Sequence, residues 1–185
     1  IFKMKVDGVC VAWWARSRYS KEWHKENLEK YKKHEAELVL RYRNSENNFQ
    51  DLLGGYDELI EGVTETVIIV EGIFDKVNID NLLGLQKIPD IKCCFTFGNN
   101  IGRGQINMML KKRIKNVILL YDFGTINESK DSALKMKDLF ENVYVTAIRK
   151  PGIDPGNIDL QYLEEVLNDA VDPISFFYIK LEVKI

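Results

Sequence analysis

The stretch VIIVEGIFDKVNID, residues 67–80, decides the fold. Val67, Ile68, Ile69 and Val70 are all β-branched, and no polar residue among them provides a wet face. Such a run predicts a strand covered on both sides, as in a parallel sheet flanked by helices. Glu71 ends it and Gly72 opens a turn, after which Asp75, Val77, Ile79, Leu82 and Leu83 fall at helical spacing. A carboxylate at the carboxyl end of a parallel strand, beside a glycine turn, stands where α/β folds place ligands.

The pattern repeats downstream. KCCFTF (92–97) reads as a second strand ending at Gly98, and GNNIGRGQINMMLKKRI as a glycine-bearing loop opening a helix. NVILLYD (116–122) is a third strand that ends, like the first, on an acid, Asp122. A helix is expected over SKDSALKMKDLFE (129–141), with Ala133, Met136, Leu139 and Phe140 on one face. A fourth strand, NVYVTAI (142–148), leads through Arg149-Lys150-Pro151-Gly152 to Asp154, and DLQYLEEVLNDA (159–170) is a closing helix. Strands alternating with helices at this spacing predict one parallel sheet with right-handed crossovers.

Upstream, FKMKVDGVCVAWWARSR (2–18) alternates around Asp7-Gly8 and reads as a hairpin. An exposed Lys/Glu-rich helix is expected over 19–37 and, over 38–49, a further strand running into a polar turn. At 185 residues the chain suits one α/β domain with a smaller appendage. The expected division is a first subdomain over 1–62, the main domain over 63–171 and a tail over 172–185, the boundary lying near Glu61 to Thr66.

Composition narrows the function classes. The net charge of −2 exerts no global pull on nucleic acid, so such a site must come from local clustering. The longest apolar runs are too short to span a bilayer, and no signal peptide opens the chain, so a cytoplasmic location and no membrane partner are expected. Ile1 in place of a Met points to a piece trimmed from a longer protein. Adjacent Cys93 and Cys94 point to opposite faces of a strand, and Cys10, His24 and His34 lie elsewhere, so no zinc site is expected in this fragment.

Three strands thus deliver Glu71, Asp122 and Asp154 to one edge of a sheet. Like charges gathered in one place are tolerated mainly when a divalent cation neutralises them. An all-oxygen donor set favours Mg²⁺ or Mn²⁺ over zinc.

VIIVEGIFD, VILLYDFG and GIDPGN, in that order and spacing, resemble the three signatures of the Toprim domain. That domain is shared by bacterial- and phage-type primases, type IA and type II topoisomerases and certain nucleases. GVCVAWWARSR followed by LRYRNSENNF is similar to the primase segment that precedes Toprim, FTFGNN with Gln105 to the glycine loop after its second strand, and KPGIDPGNIDLQYLEEVLNDA to the phage-primase form of its third signature. The likeness runs from Gly8 to Ala170. It implies a primase catalytic core without its zinc ribbon: a Toprim-type four-stranded parallel sheet flanked by helices, with a small N-terminal α+β subdomain.

The resemblance also implies roles. Glu71 would act in acid–base chemistry and help hold metal, Asp122 would ligate Mg²⁺, and Asp154 would complete the site. Gly72, Asp75 and Gly98 would shape its loops. Template-directed synthesis of short RNA primers would follow, with single-stranded DNA and nucleoside triphosphates as partners and a replicative helicase as a further candidate. Arg16, Arg18, Arg41 and Arg43 end or edge strands that should lead toward the acids, and Arg103 stands in the glycine loop, so these five are the expected nucleotide and nucleic-acid contacts. Trp13, Trp14, Tyr19, Trp23, Tyr31 and Tyr42 could stack on bases, whereas Lys25 to Lys33 read as a solvated helix face.

The chain departs from the pattern twice. Gly124 replaces the second acid of Asp-x-Asp, and Gly156 replaces the second acid of the third signature. Glu128 or Asp131 could supply a missing carboxylate, with Asp131-Ser132-Ala133 as a shifted helix start. A Toprim nuclease and a non-catalytic nucleic-acid-binding module are the competing readings; a topoisomerase needs a transesterifying tyrosine on a separate domain, for which there is no room.

Overall fold

The computed structural model describes residues 1–122 and 124–175. The chain falls into two compact units, Ile1–Asn47 and the remainder from Asn48 onward.

In the first unit, β1 (Phe2–Val6) and β2 (Val9–Arg16) form the expected antiparallel hairpin. Asp7 and Gly8 both take positive φ, 51° and 80°, the geometry that matches a two-residue turn to strand twist. A short β3 (Tyr42–Asn44) pairs with the other side of β2. Helix α1 spans only Lys21–Lys32, capped by Ser20, whose Oγ accepts the Trp23 N–H at 3.1 Å. Both α1 and β3 are shorter than expected, for one reason. The buried Asn27 on α1 donates to the Glu37 carbonyl at 3.0 Å and accepts the Val39 N–H at 2.9 Å, while His24 Nδ1 lies 3.0 Å from the Val39 carbonyl. The backbone of 37–39 is therefore bonded to the helix, not to a sheet.

The second unit is built on four parallel strands: β4 (Thr66–Val70), β5 (Ile91–Phe95), β6 (Asn116–Tyr121) and β7 (Asn142–Ala147), in the order β5-β4-β6-β7. Four helices alternate with them: α2 (Ile73–Leu83), α3 (Arg103–Lys111), α4 (Ile126–Met136) and α5 (Leu160–Asn168). The absence of a polar face on β4 is explained: Val67, Ile68, Ile69 and Val70 are all buried, as are adjacent Cys93 and Cys94 on β5. The three cysteines are free. Among the described residues no helix is long and apolar enough to cross a membrane.

Two further features depart from the sequence expectation. Residues 48–62, assigned from sequence to the first subdomain, pack with the parallel sheet. Gly54 exchanges backbone hydrogen bonds with Phe95 of β5 at 2.9 and 3.0 Å, Leu53, Tyr56 and Leu59 are buried, and buried Lys76 of α2 pairs with Glu58 at 2.8 Å and with Asp80. No apolar periodicity marks this segment, because a single bridge and a few inserted side chains hold it. Helix α4 begins three residues before the expected Ser129, ruling out Asp131 as its start, and ends at Met136 rather than Glu141. Past that end the helical face is lost, so Phe140 is buried but Leu139 is 50% exposed. Of the tail, 172–185, positions 176–185 lie outside the described residues.

Truncating a fully buried side chain removes transfer energy and leaves a cavity. Leu53→Ala should therefore cost the parallel-sheet unit about 2–5 kcal/mol in denaturant unfolding. A loss well under about 1 kcal/mol would mean that 48–62 is only draped on the surface.

Candidate functional site

The strand order fixes where the acids meet. From β4 the chain crosses to β5 on one side, then returns past β4 to β6 on the other. The loops leaving the carboxyl ends of β4 and β6 consequently diverge, and the crevice between them is where open α/β sheets bind ligands. Glu71 and Asp122 are the first residues beyond those two strands, one on each side of it.

They touch through the backbone: the Asp122 N–H donates to Glu71 Oε1 at 3.2 Å. Burial pushes the Glu71 carboxyl above its usual range, the charges of Asp122 and Glu128 push it further, and the Asp122 N–H and Thr125 hydroxyl pull it partly back. Asp122 is raised as well, first by burial and then by the charge of Asp154. Its Oδ1 is fully buried and has no hydrogen-bond partner among the described residues.

Asp75 lies in the first turn of α2, where its Oδ2 accepts the Gly72 N–H at 2.8 Å and closes the helix end. Burial, followed by the charge of Asp122 and with smaller effects from Asp154 and Glu71, raises its pKa to about 7. Asp154 sits in a loop stapled by Asn157, whose Oδ1 accepts the Asp154 N–H at 2.8 Å and whose Nδ2 donates to the Gly152 carbonyl at 3.1 Å. Asn78, one turn beyond Asp75 on α2, donates to the carbonyls of Pro155 and Ile158 at 2.9 and 3.0 Å and holds that loop against the helix. A Cβ at position 156 would stand 2.9 Å from Asp75 Oδ1 and 3.2 Å from Asp154 Oδ1. The two carboxylates thus bracket Gly156, and a side chain there would have to displace them.

The glycine loop lies on the same rim. The Gly98 N–H donates to the Glu71 carbonyl at 3.1 Å, and Phe97 before it takes φ 64°, a strained value for a bulky residue. Gln105 is wholly buried; its Nε2 reaches the carbonyls of Phe49, Leu52 and Thr96 within 3.1 Å, and its Oε1 accepts the Gly102 N–H. Arg103 is the first residue of α3 and is exposed.

Glu71, Asp75, Asp122 and Asp154 are therefore electrostatic neighbours. They do not form a preformed cage: among the described residues no three His, Cys, Asp or Glu side chains converge as a metal site. In chemistry, though, the donors suit a hard divalent cation, being all oxygen, partly buried and mutually repelling, with one carboxylate oxygen left without a donor.

The other four arginines expected as nucleic-acid contacts belong to the first unit. Arg16 and Arg41 lie over the Tyr42 ring at 5.9 and 5.2 Å, and that ring stacks on Trp14 with centroids 5.4 Å apart. Arg18 lies over Tyr19, which stacks on Trp23 at 4.1 Å. Arg43 is exposed on β3.

Asn78 and the anchoring role of Thr125 were missed in the sequence. Asn78 carried a usable signal, since it follows Asp75 by three positions on one helix and shares its face.

No family model matches the chain, and no curated protein matches it in sequence. Among solved structures it is similar to the Aquifex aeolicus primase, in a crystal structure of that protein's zinc-binding and RNA polymerase domains. The two share 18% sequence identity with a TM-score of 0.61 over 91% of this chain and 39% of the other. The fold is primase-like. The chain spans about two-fifths of that primase's length.

A raised acid weakens folding as pH climbs. Unfolded, Asp75 titrates near 3.8; folded, near 7. Between these values the unfolded chain gives up its proton first, so stability falls with rising pH and the full penalty is present above about pH 7. Asp75→Asn keeps an acceptor for the Gly72 N–H and removes the charge. In EDTA it should raise the thermal midpoint by a few degrees at about pH 8, the gain shrinking to nothing near pH 4. Equal gains at both values would show that charge is not the cause.

Proposed function

We propose that this chain carries a Toprim-type site in a primase-like core and that it assembles short RNA primers on single-stranded DNA by Mg²⁺-assisted nucleotidyl transfer. The observation that carries the reading is the pairing of Glu71 with Asp122 across the switch point of a parallel sheet, with a buried carboxylate oxygen left without a donor.

Glu71, Asp122 and Asp154 are the residues that would hold the metal. When bound, a divalent cation neutralises charge on phosphate oxygens and makes a hydroxyl easier to deprotonate. The chain's own contribution is placement and proton handling. Glu71, its pKa raised by burial and by the charge of Asp122, is the carboxylate placed to take a proton from a 3′ hydroxyl brought to the rim. The Asp122 N–H fixes one of its oxygens, and the Gly98 N–H fixes its backbone. Asp75 and Asn78 hold the loops around it, so that the reacting groups need little reorganisation. The first unit, with arginines laid over stacked aromatic rings, supports a role in gripping single-stranded template by phosphate contact and base stacking.

Gly124 and Gly156, in place of two acids, favour a second reading, a nucleic-acid-binding module without turnover. A template-dependent dinucleotide synthesis assay in Mg²⁺ or Mn²⁺ separates the two. Synthesis is expected, and Glu71→Gln should reduce it by roughly 10²–10⁴-fold, the range for loss of a positioned acid or base. Cleavage of the template without synthesis would make the chain a Toprim nuclease, and binding without either would establish the module.

The first-unit arginines make a separate forecast. Affinity for single-stranded DNA should fall as salt rises, and replacing Arg16 or Arg43 with Ala should reduce the magnitude of the log–log slope by roughly 0.7 per lost phosphate contact. A slope unchanged in both variants would remove these two residues from the interface.

A further inference from the structure

A glutamine without solvent contact needs a reason, because its amide is costly to bury unless every bond is made. Gln105, wholly buried at the third position of α3, has its reason in where those bonds go. The carbonyls of Phe49, Leu52 and Thr96 surround its Nε2 at 3.1, 2.9 and 3.0 Å, and the Gly102 N–H donates to its Oε1 at 2.9 Å. Acceptors at one end and a donor at the other settle which atom of the amide is nitrogen. Thr96 and Gly102 stand at the two ends of the glycine loop. A single side chain therefore closes that loop across its base and ties it to the backbone at Phe49 and Leu52.

The loop is held in a shape it would not keep alone. Phe97 takes φ 64°, its ring against those of Phe49 and Phe95 with centroids 4.6 and 4.7 Å apart. A left-handed angle at a bulky residue persists only where the surroundings impose it, and such strain collects at functional sites. The start of α3 is shaped to supply those surroundings. A Cβ on Gly102 would lie 2.2 Å from the Gln50 carbonyl oxygen, and one on Gly104 would lie 2.5 Å from the Asp51 Cα. Both positions forgo a side chain so that residues 50 and 51 can press against the loop.

Thr96 carries the hold to the rim. Its N–H donates to the Val70 carbonyl at 3.1 Å, and its Oγ1 donates to the carbonyls of Val70 and Gly98 at 3.3 and 2.6 Å. Gly98 in turn donates to the Glu71 carbonyl at 3.1 Å. From Gln105 the restraint thus passes through Thr96 and the strained Phe97 to Gly98, and from Gly98 to the acid.

We infer that Gln105 is a positioning residue for Glu71: it fixes both ends of the glycine loop, so that Phe97 stays left-handed and Gly98 stays bonded to the backbone of that acid. The inference rests on the role proposed above for Glu71. Gln105 is wholly buried and touches no substrate; it acts only through the loop. The plainer alternative is an amide that satisfies buried carbonyls and contributes stability alone. That alternative leaves Gly98 and the reaction unchanged once stability is matched.

The test compares three variants. Gln105→Met keeps the volume and removes the amide's bonds, and Gln105→Glu keeps only the acceptor for the Gly102 N–H. Leu163→Ala is the control for stability: it opens a cavity under α5, which packs on β7, at the opposite edge of the sheet from β5. The first readout is hydrogen exchange at the Gly98 amide, which Gln105 does not itself bond. Scaled to the slowest core amides, it should run at least about tenfold faster in both Gln105 variants than in Leu163→Ala. In the dinucleotide assay both should lose at least about tenfold in kcat, since a misplacement of about 1 Å can cost ~10²-fold. Their KM for template should stay within about twofold of wild type, because the proposed template contacts lie in the first unit, and Leu163→Ala should keep wild-type kcat. Should Gln105→Met fail to fold, Gln105→Glu carries both readouts. Gly98 exchange no faster than in Leu163→Ala would overturn the inference, as would faster exchange with kcat intact. A wild type that makes no primer would overturn the primer reading, and Gly98 exchange would then decide alone whether Gln105 sets the loop against Glu71.

Discussion

The backbone order β5-β4-β6-β7 brings the residues that follow β4 and β6 side by side, and those residues are both acids. Everything else at the rim answers that constraint. A carboxylate beside another must be hydrogen-bonded, protonated or neutralised by a cation. Glu71 takes the first course with the Asp122 N–H, and Asp75 takes it with the Gly72 N–H. Asp122 Oδ1 has taken none. Three raised carboxyls at one edge of an otherwise apolar sheet are a standing cost to the folded state, and a cost concentrated at the mouth of a crevice points to function more than to stability.

The parallel sheet was legible because its determinants are local and dense. Val67–Val70 and Val117–Leu120 have no wet face, and such runs end where the strands end. Glu71 and Asp122 were legible for the same reason, each being the first polar residue after an apolar run. The nearness of Asp154 to Asp75 rests on different physics. It depends on Asn78 reaching two carbonyls almost eighty positions away, and no periodicity announces a side chain that bonds a distant backbone. The attachment of residues 48–62 to the parallel sheet was illegible for a like reason, since one bridge to Phe95 and the pairing of Lys76 with Glu58 make it.

The helix boundaries show how a single side chain can override a pattern. The Lys/Glu run from Tyr19 to Glu37 has helical composition throughout, yet α1 stops at Lys32, with His34 at φ 61°. Asn27 bonds the chain as it returns, and those bonds outweigh the propensity of the last few residues. Helix α4 errs in the opposite sense, starting early because the turn from Asp122 to Thr125 leads straight into it.

That turn changes how the missing acids should be read. Counted along the sequence, Gly124 and Gly156 are two losses from a carboxylate pattern and argue for decay. In space they are positions where side chains do not fit well, one for its backbone angle and one because Asp75 and Asp154 already crowd it. This rim gathers Glu71, Asp75, Asp122 and Asp154, and hydrogen bonds from Thr125, Asn78 and Asn157 hold the loops that carry them. Repelling carboxylates held in place by hydrogen bonds are an arrangement whose cost a divalent cation would relieve.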